Sequence, residues 1–142
     1  MDQPLLVRAA QPADRPAAAG LVGAAGWSAE QRRAWQDGAP AIVLYDPADA
    51  AVHGVVVARP RGPGVFDLVA WAVAPPLNRA TAAARLVGAI ANRARRDGGE
   101  RLVVSVQDED AGALLESCGF QEVSRSHSAF APESVVTYHL EL

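Results

Sequence analysis

The sequence predicts an α/β protein with a mixed, mostly antiparallel sheet of about seven strands and helices on both faces. Short apolar segments bounded by turn residues alternate with segments of helical periodicity, in the order β-α-α-β-β-β-α-β-α-β-β. Three consecutive strands joined by turns precede a strand–helix–strand crossover, so antiparallel and parallel pairing are both expected. We expect residues 1–142 to form a single domain, because one core usually forms at about 100–150 residues.

The first half of the chain is predicted to contain three strands and two short helices. Asp14 suits the N-cap or the first turn of the first helix, and Gly26 ends that helix. Ser28 and Gln31 have the spacing of a capping box, which starts the second helix. In order, the elements are the strand Leu5–Ala9, the helix Ala17–Ala25, the helix Ser28–Trp35 and the strands Ala41–Tyr45 and Val52–Arg59.

The second half contains the longest predicted helix. Alternation in the fourth strand places Asp67, Val69, Trp71 and Val73 on one face, and the prolines at 75 and 76 end the strand. Glycines are expected to end both helices of this half. In order, the elements are the strand Val65–Val73, the helix Asn78–Asp97, the strand Arg101–Val106, the helix Asp108–Cys118 and the strands Glu122–Ser128 and Val135–Leu142.

Composition excludes several kinds of chemistry. All 13 basic residues are arginine, which excludes a lysine Schiff base or lysine general base. The single cysteine, Cys118, excludes an intramolecular disulfide and a cysteine-rich zinc site. No two of the three histidines have the helical spacing of metal ligands, so we expect no metal.

Charge and hydropathy indicate where the protein acts. A net charge of −3 provides no general attraction to nucleic acid or to an anionic membrane. The apolar runs are far shorter than the roughly 20 residues that span a bilayer, and the N-terminal residues lack the pattern of a signal peptide. We therefore expect a soluble cytoplasmic protein that binds neither nucleic acid nor membrane.

The stretch from Leu68 to Phe120 contains the most informative motifs. Val73-Ala74-Pro75 ends the fourth strand, residues 78–83 (Asn-Arg-Ala-Thr-Ala-Ala) begin the long helix, and Ala111, Gly119 and Phe120 follow at defined spacings. Together with Val-Arg-Ala-Ala-Gln-Pro-Ala-Asp at residues 7–14, these motifs resemble the GCN5-related N-acetyltransferase (GNAT) family over nearly the whole chain. The resemblance implies a GNAT-like sheet and transfer of an acetyl group from acetyl-CoA to the amine of a small molecule or peptide.

The resemblance also implies where acetyl-CoA binds. The start of a helix offers N–H groups and a positive dipole end to a pyrophosphate, and small residues let the phosphates approach the backbone. Asn78 and Thr81 depart from the family's Gln or Arg and its first glycine, whereas Arg79 supplies a positive charge. The implied cofactor-binding residues are Ala72, Val73, Asn78, Arg79, Ala80, Thr81, Ala82 and Ala83. An alanine-rich helix start without a ligand is the alternative.

By the same resemblance, Asp67 stands where the family often has a glutamate that removes a proton from the amine. The alternative is a solvated aspartate at a strand end, because Pro63 and Gly64 mark a surface turn. Leu115 occupies the place of the tyrosine that protonates the departing thiolate, and leucine cannot donate a proton. If the cofactor binds as in the family, the Leu115 side chain is expected to point toward the CoA sulfur.

Trp27 and Trp71 are the residues expected to contact the acceptor substrate, and both also suit a core position. Two other functions remain open because Asn78, Thr81 and Leu115 depart from the family pattern. One is a non-catalytic module of the same fold that binds a partner or senses CoA. The other is an enzyme of this fold that does not use acetyl-CoA. The expected partners are the amine substrate and, at most, a second copy of the chain in a homodimer.

Overall fold

The computed structural model of the chain describes residues 5–75, 77–107, 109–128 and 131–142. In this part of the chain, the strands and helices follow the predicted order with one additional short helix after β1. They are β1 (Leu6–Ala9), α1 (Asp14–Ala17), α2 (Ala19–Ala24), α3 (Ala29–Gln36), β2 (Ala41–Asp46), β3 (Ala51–Gly62), β4 (Val65–Val73), α4 (Arg79–Arg96), β5 (Arg101–Val106), α5 (Glu109–Ser117), β6 (Gln121–Ser128) and β7 (Ala131–Glu141).

The seven strands form one sheet in the order β1-β2-β3-β4-β5-β7-β6. Neighbouring strands pair antiparallel except β4 and β5, which pair parallel because the crossover helix α4 connects them. The predicted fold class, a mixed and mostly antiparallel sheet of about seven strands, is confirmed.

Helices cover both faces of the sheet and bury two apolar clusters. On one face, α4 packs its Leu86 and Ile90 against buried β-strand residues such as Leu44 and Leu102. On the other face, Trp27 and Trp35 from the α1–α3 segment pack over the valines of β2 and β3. Within the described residues, no helix combines the length and the apolar character needed to cross a membrane.

A β-bulge in β4 changes the direction of its side chains. Val57 of β3 pairs with Ala70, whereas the next residue, Ala58, pairs with Leu68, so Val69 is an extra residue in β4. Trp71 therefore packs with Leu68 on the α4 face, while Val69 packs on the α1–α3 face. The prediction that Asp67, Val69, Trp71 and Val73 share one face is wrong, because the extra residue interrupts the alternation.

β3 extends beyond its predicted end at Arg59, although Pro60 cannot donate a strand hydrogen bond. Pairing with β2 stops at Val57, so the last residues of β3 pair only with β4. A proline is tolerated where a strand has one neighbour. This extension places Arg59 and Arg61 beside β4, where they contribute to the site described below.

Several predicted helix ends are confirmed. Ser28 and Gln31 form both hydrogen bonds of the capping box at the start of α3. Gly98 and Gly119 adopt φ angles of 91° and 97° after α4 and α5, a conformation that favours glycine. The predicted helix over 17–25 corresponds to α2, and the additional short helix α1 precedes it and begins at Asp14. The predicted helix start at Asp108 and the second proline, Pro76, lie outside the described residues.

Asp14 lies in the first turn of α1 and does not cap it. Its buried carboxylate accepts two hydrogen bonds from the Arg8 guanidinium, at 2.7 and 2.9 Å, and one from the Gln11 backbone N–H at 2.7 Å. The Arg8 guanidinium also lies over the Tyr45 ring, 4.2 Å from its centre. This ion pair therefore attaches α1 to β1 and β2.

Candidate functional site

A gap opens in the sheet between β4 and β5. Their parallel pairing covers only Val65–Asp67 and Arg101–Val103, after which each strand continues without the other. Asp67 is the last β4 residue paired with β5, so its side chain lies where the two strands separate. The edge of β4 beyond this point is consequently available to side chains and ligands.

Two side chains from the α2–α3 region bind this edge of β4. The Trp27 indole Nε1–H donates a hydrogen bond to the Trp71 carbonyl oxygen at 3.0 Å. The Gln31 amide Nε2–H donates to the Val69 carbonyl oxygen, also at 3.0 Å. Because the N–H and C=O groups of one strand residue point to the same side, the Trp71 N–H also points into the gap.

A cavity of about 470 Å³ lies on the α3 side of the gap, and we call it the charged cavity. Asp67 lines it with 25% of its side chain exposed, and its carboxylate lies 3.5 Å from the Arg61 guanidinium. Arg59 and Glu30 line it as a tighter pair, at 2.7 Å. The complete lining comprises Ser28, Glu30, Gln31, Arg59, Arg61, Asp67, Leu68, Val69, Val103, Val104 and Ser105.

The Arg59–Glu30 pair changes the titration of both groups. The hydrogen bond and the charge of Arg59 lower the pKa of Glu30 below its ordinary value. The hydrogen bond from the same guanidinium to Glu30 raises the pKa of Arg59. Both groups are therefore charged at neutral pH, and the cavity contains fixed charges of both signs.

A second cavity, of about 310 Å³, lies farther along the same edge of β4, and we call it the helix-start cavity. Arg79 at the beginning of α4 and Ala111 of α5 face it from outside the sheet. Gln31 lines both cavities and so stands between them. The complete lining comprises Ala25, Trp27, Gln31, Trp71, Ala72, Val73, Arg79 and Ala111.

The start of α4 is capped by its own sequence. The Asn78 side-chain oxygen accepts a hydrogen bond from the Thr81 backbone N–H at 3.0 Å. In any α-helix the first N–H groups have no acceptor within the helix, which here leaves those of Arg79 and Ala80 for an external anion. Thr81 is exposed, whereas the side chains of Ala82 and Ala83 are buried, so only the backbone of these two alanines could approach a ligand.

Leu115 lies in the core and not in either cavity of the gap. It is 3% exposed and packs with the buried residues of the α4 face. It lines a small apolar cavity of about 10 Å³, together with Trp71, Leu86 and Cys118. The expectation that Leu115 points toward a bound thioester is therefore not supported by its surroundings. Burial also raises the pKa of the neighbouring Cys118 thiol.

Within the described residues, one group of side chains has the spacing of metal ligands: Asp46, Asp49 and His53, whose ligand atoms lie within 4.8 Å of one another. The Asp46 carboxylate lies 3.6 Å from His53 Nε2 and also accepts a hydrogen bond from the Ala48 N–H. None of the three lines a cavity of the gap. The absence of a metal remains a prediction.

The structure brings only part of the predicted site residues together, since Asn78, Ala80, Thr81, Ala82 and Ala83 at the start of α4 line neither cavity. Trp27, Trp71, Ala72, Val73 and Arg79 line the helix-start cavity, while Asp67 lines the charged cavity. Trp27 is only 7% exposed and bonded to β4, so its role is at least partly structural.

Three residues with prominent positions were not predicted as site residues: Gln31, Arg59 and Arg61. The spacing of Ser28 and Gln31 predicted a capping box at the start of α3, and this pattern does not indicate a contact of Gln31 with β4. The sequence does not mark the two arginines as site residues. They reach the site because β3 and β4 pair as a hairpin, which places Arg59 opposite Asp67. Their roles depend on contacts between residues that are distant in sequence.

The comparisons with known proteins agree with this geometry. A family profile described as Acetyltransferase (GNAT) family matches residues 13–120. No curated protein matches the sequence significantly. Many solved structures share the fold, and three illustrate the range.

An acetyltransferase assigned to the GNAT family from Desulfovibrio desulfuricans is 19% identical, with a TM-score of 0.81 over 96% of this chain and 98% of that one. The ribosomal-protein-S18-alanine N-acetyltransferase of Escherichia coli is 20% identical, with a TM-score of 0.76 over 96% and 93%. An acetyltransferase from Salmonella typhimurium, solved with its cofactor acetyl-CoA, is 18% identical, with a TM-score of 0.74 over 98% and 94%. The profile match over most of the chain, together with the split between β4 and β5, shows that this protein belongs to the acetyltransferase (GNAT) family.

Proposed function

We propose that the protein transfers an acetyl group from acetyl-CoA to the amine of a small molecule or peptide. The observation that carries this proposal is the arrangement of two adjoining cavities along one edge of β4, with Gln31 lining both. The charged cavity contains a carboxylate, Asp67, and the helix-start cavity contains a guanidinium, Arg79. An amine in the first and an acetyl donor in the second would meet beside Gln31.

The residues of the helix-start cavity suit the donor. Acetyl-CoA carries a pyrophosphate, and Arg79 with the N–H groups of Arg79 and Ala80 presents positive charge and hydrogen-bond donors to such a group. The Thr81 N–H already donates a hydrogen bond to the Asn78 side chain. This helix start therefore offers fewer free backbone donors to a ligand than an uncapped one would. Ala72, Val73 and Ala111, which line the same cavity, have small or medium side chains that leave space for the rest of the molecule.

The edge of β4 suits the reacting carbonyl. Trp27 and Gln31 already donate to the carbonyl oxygens of Trp71 and Val69, so the exposed edge presents mainly N–H donors. Such donors, fixed before the reaction, would stabilise negative charge that develops on an oxygen. Bound acetyl-CoA would supply the acetyl group itself.

Asp67 is the group proposed to accept the proton from the acceptor amine. It stands at the point where β4 and β5 separate, and a quarter of its side chain remains exposed to the charged cavity. A carboxylate placed within hydrogen-bonding reach of the amine can act as a general base. Leu115 carries no acid and is buried, so we propose that water protonates the departing thiolate.

A CoA-binding module without transferase activity is the second proposal, and the burial of Leu115 favours it. Both proposals require acetyl-CoA to bind, and only the first requires transfer. Thermal unfolding with and without acetyl-CoA tests the shared requirement. At a hundredfold excess over Kd, a ligand stabilises the folded state by about 2.7 kcal/mol.

Release of the CoA thiol in the presence of a panel of amines then tests transfer. Binding with transfer supports the enzyme, and binding without transfer supports the module. No stabilisation at millimolar acetyl-CoA would contradict both, and would favour a partner-binding module or an enzyme of this fold that does not use acetyl-CoA.

A further inference from the structure

The charged cavity is electrically balanced before any substrate enters. Two carboxylates, Glu30 and Asp67, face two guanidiniums, Arg59 and Arg61. Its volume of about 470 Å³ falls within the range of small-molecule sites, roughly 300–1,000 Å³. An acceptor that enters must therefore be compatible with fixed charges of both signs.

The two ion pairs differ in how tightly they are made. Arg59 and Glu30 approach to 2.7 Å, a charge-assisted hydrogen bond. Arg61 and Asp67 are 3.5 Å apart, beyond the ordinary 2.7–3.2 Å of an N–H···O bond, and the Arg61 side chain is 61% exposed. An exposed, loosely made pair contributes little stability, so a ligand can replace it at low cost.

A simple cationic amine would fit this cavity poorly. Its ammonium group would reach Asp67 only by lying beside the Arg61 guanidinium, and the two positive charges would repel. A carboxylate on the same molecule removes this conflict, because Arg61 can then turn from Asp67 to the new carboxylate. The planar guanidinium can bind a carboxylate through two parallel hydrogen bonds.

We propose that the acceptor is a small amine bearing a carboxylate a few bonds from its nitrogen, with the amine bound at Asp67 and the carboxylate at Arg61. An α-amino acid is the simplest molecule of this class. This inference rests on the proposed acetyl transfer and identifies its substrate class. The Arg61–Asp67 distance of 3.5 Å places both groups within reach of one end of a small molecule.

The test uses a panel of α-amino acids, each compared with its carboxamide and its decarboxylated amine. Binding to the protein is measured by calorimetry, and acetyl transfer is measured separately by release of the CoA thiol. We expect at least one amino acid to bind about tenfold or more tightly than its two analogues, which keep the ammonium group but lack the carboxylate, the scale of one charge-assisted hydrogen bond. Transfer should show the same preference in kcat/KM.

Three variants locate the preference. Arg61→Met should raise KM for the amino acid about tenfold or more, with a small change in kcat. KM for the carboxamide should not rise and should fall if anything, because the variant also removes the charge that repels its ammonium group. Arg61→Lys keeps the positive charge and should restore part of the loss. Arg32→Met removes the same charge from an exposed position on α3 outside the cavity lining, and should behave as the unmodified protein.

The binding measurement separates this inference from the proposed function. Selective binding of amino acids without acetyl transfer would support the substrate class and contradict the transferase. Transfer to amines without a carboxylate with equal or better kcat/KM would contradict the substrate class and support the transferase. Equal effects of Arg61→Met on acids and carboxamides, or no binding of any amino acid, would likewise overturn the inference.

Discussion

The Gln31 amide Nε2–H donates a hydrogen bond to the Val69 carbonyl oxygen, 3.0 Å away, while its Oε1 accepts the Ser28 N–H that completes the capping box. One side chain therefore both starts α3 and holds that helix against the bulge in β4. Since Gln31 also lines both cavities, the start of α3 and the proposed reaction site share a single structural element.

Replacement of Gln31 by glutamate separates these two roles. Glutamate serves equally well in a capping box. It cannot donate a hydrogen bond to the Val69 carbonyl oxygen, and its negative charge would be repelled by that oxygen. We expect α3 to persist and the free energy of unfolding to fall by about 1–3 kcal/mol. Urea unfolding with circular dichroism measures both.

Gln36→Glu provides the control, because Gln36 is exposed at the end of α3 and receives the same change of charge. Equal stability of the two variants would show that the Gln31–Val69 bond contributes nothing.

Arg79→Ala tests the proposed binding of acetyl-CoA at the start of α4. Loss of this guanidinium should raise the Kd of acetyl-CoA about tenfold, which lowers the ligand-induced stabilisation by about 1.4 kcal/mol at high ligand concentration. Thermal shift against a series of acetyl-CoA concentrations measures the change. Arg96→Ala removes an equal charge from the opposite end of the same helix and should leave the Kd unchanged. A similar loss in both variants would point to a general charge effect.

Asp67→Asn should preserve the fold and impair the reaction. The Arg61–Asp67 pair is half exposed, so stability should change by less than about 1 kcal/mol. Transfer at neutral pH should fall by about 10²–10⁴ if Asp67 is the base. As the pH approaches the pKa of the acceptor amine, solvent deprotonates the amine and the deficit should shrink. A variant with the original rate at neutral pH would remove Asp67 from the mechanism.

Local signals predicted most of the fold. Pro63-Gly64 and Pro75 bound β4, whose observed limits match the predicted ones, and Ser28 with Gln31 marked the start of α3. The sequence contains no local pattern that indicates the bulge at Val69. Buried and half-buried residues alternate along β4 as they would in a regular strand. Its evidence is the pairing with β3, which is a contact between strands and not a local pattern.

The site was less predictable than the fold for the same reason. Asp67 and Arg79 could be predicted as site residues from their places in a family pattern. The ion pair between Arg61 and Asp67 could not, because it depends on the antiparallel pairing of β3 with β4. Leu115 differs from Asp67 and Arg79, because its place in the pattern indicated the reaction site, whereas its side chain is buried among residues of the α4 face. Sequence spacing placed these residues on their elements and did not determine which way they face.

Cys118 should react slowly with alkylating reagents. Burial raises the pKa of its thiol, and the thiolate is the reactive form, so at any pH below that pKa less thiolate is present than for an ordinary cysteine. Each unit of increase lowers the thiolate fraction about tenfold at neutral pH. Iodoacetamide labelling of the folded protein, followed by intact mass, should be slow at pH 7.5 and accelerate as the pH rises.

The urea-unfolded chain is the control for this reaction, since Cys118 is the single cysteine and reports an unperturbed thiol there. Equal labelling rates in the folded and unfolded protein would show that the thiol is accessible and its pKa normal.

Leu115→Tyr tests whether the family's acid can be restored in this chain. The side chain of Leu115 is 3% exposed, and the adjoining cavity of about 10 Å³ is too small for a phenol ring. The larger side chain must therefore displace its neighbours Trp71 and Leu86, at a cost of about 1–3 kcal/mol in the free energy of unfolding. We expect this loss without faster acetyl transfer, measured by denaturant unfolding and by CoA thiol release.

Leu115→Met is the matched control, because it nearly conserves volume and should cost less than about 1.5 kcal/mol. A folded Leu115→Tyr protein with a rate increased tenfold or more would show that the new hydroxyl reaches the departing thiolate, since positioned acids contribute about 10² or more. In that case α5 must shift on binding acetyl-CoA and bring position 115 to the gap. Unchanged transfer with lowered stability would confirm that Leu115 serves the core alone.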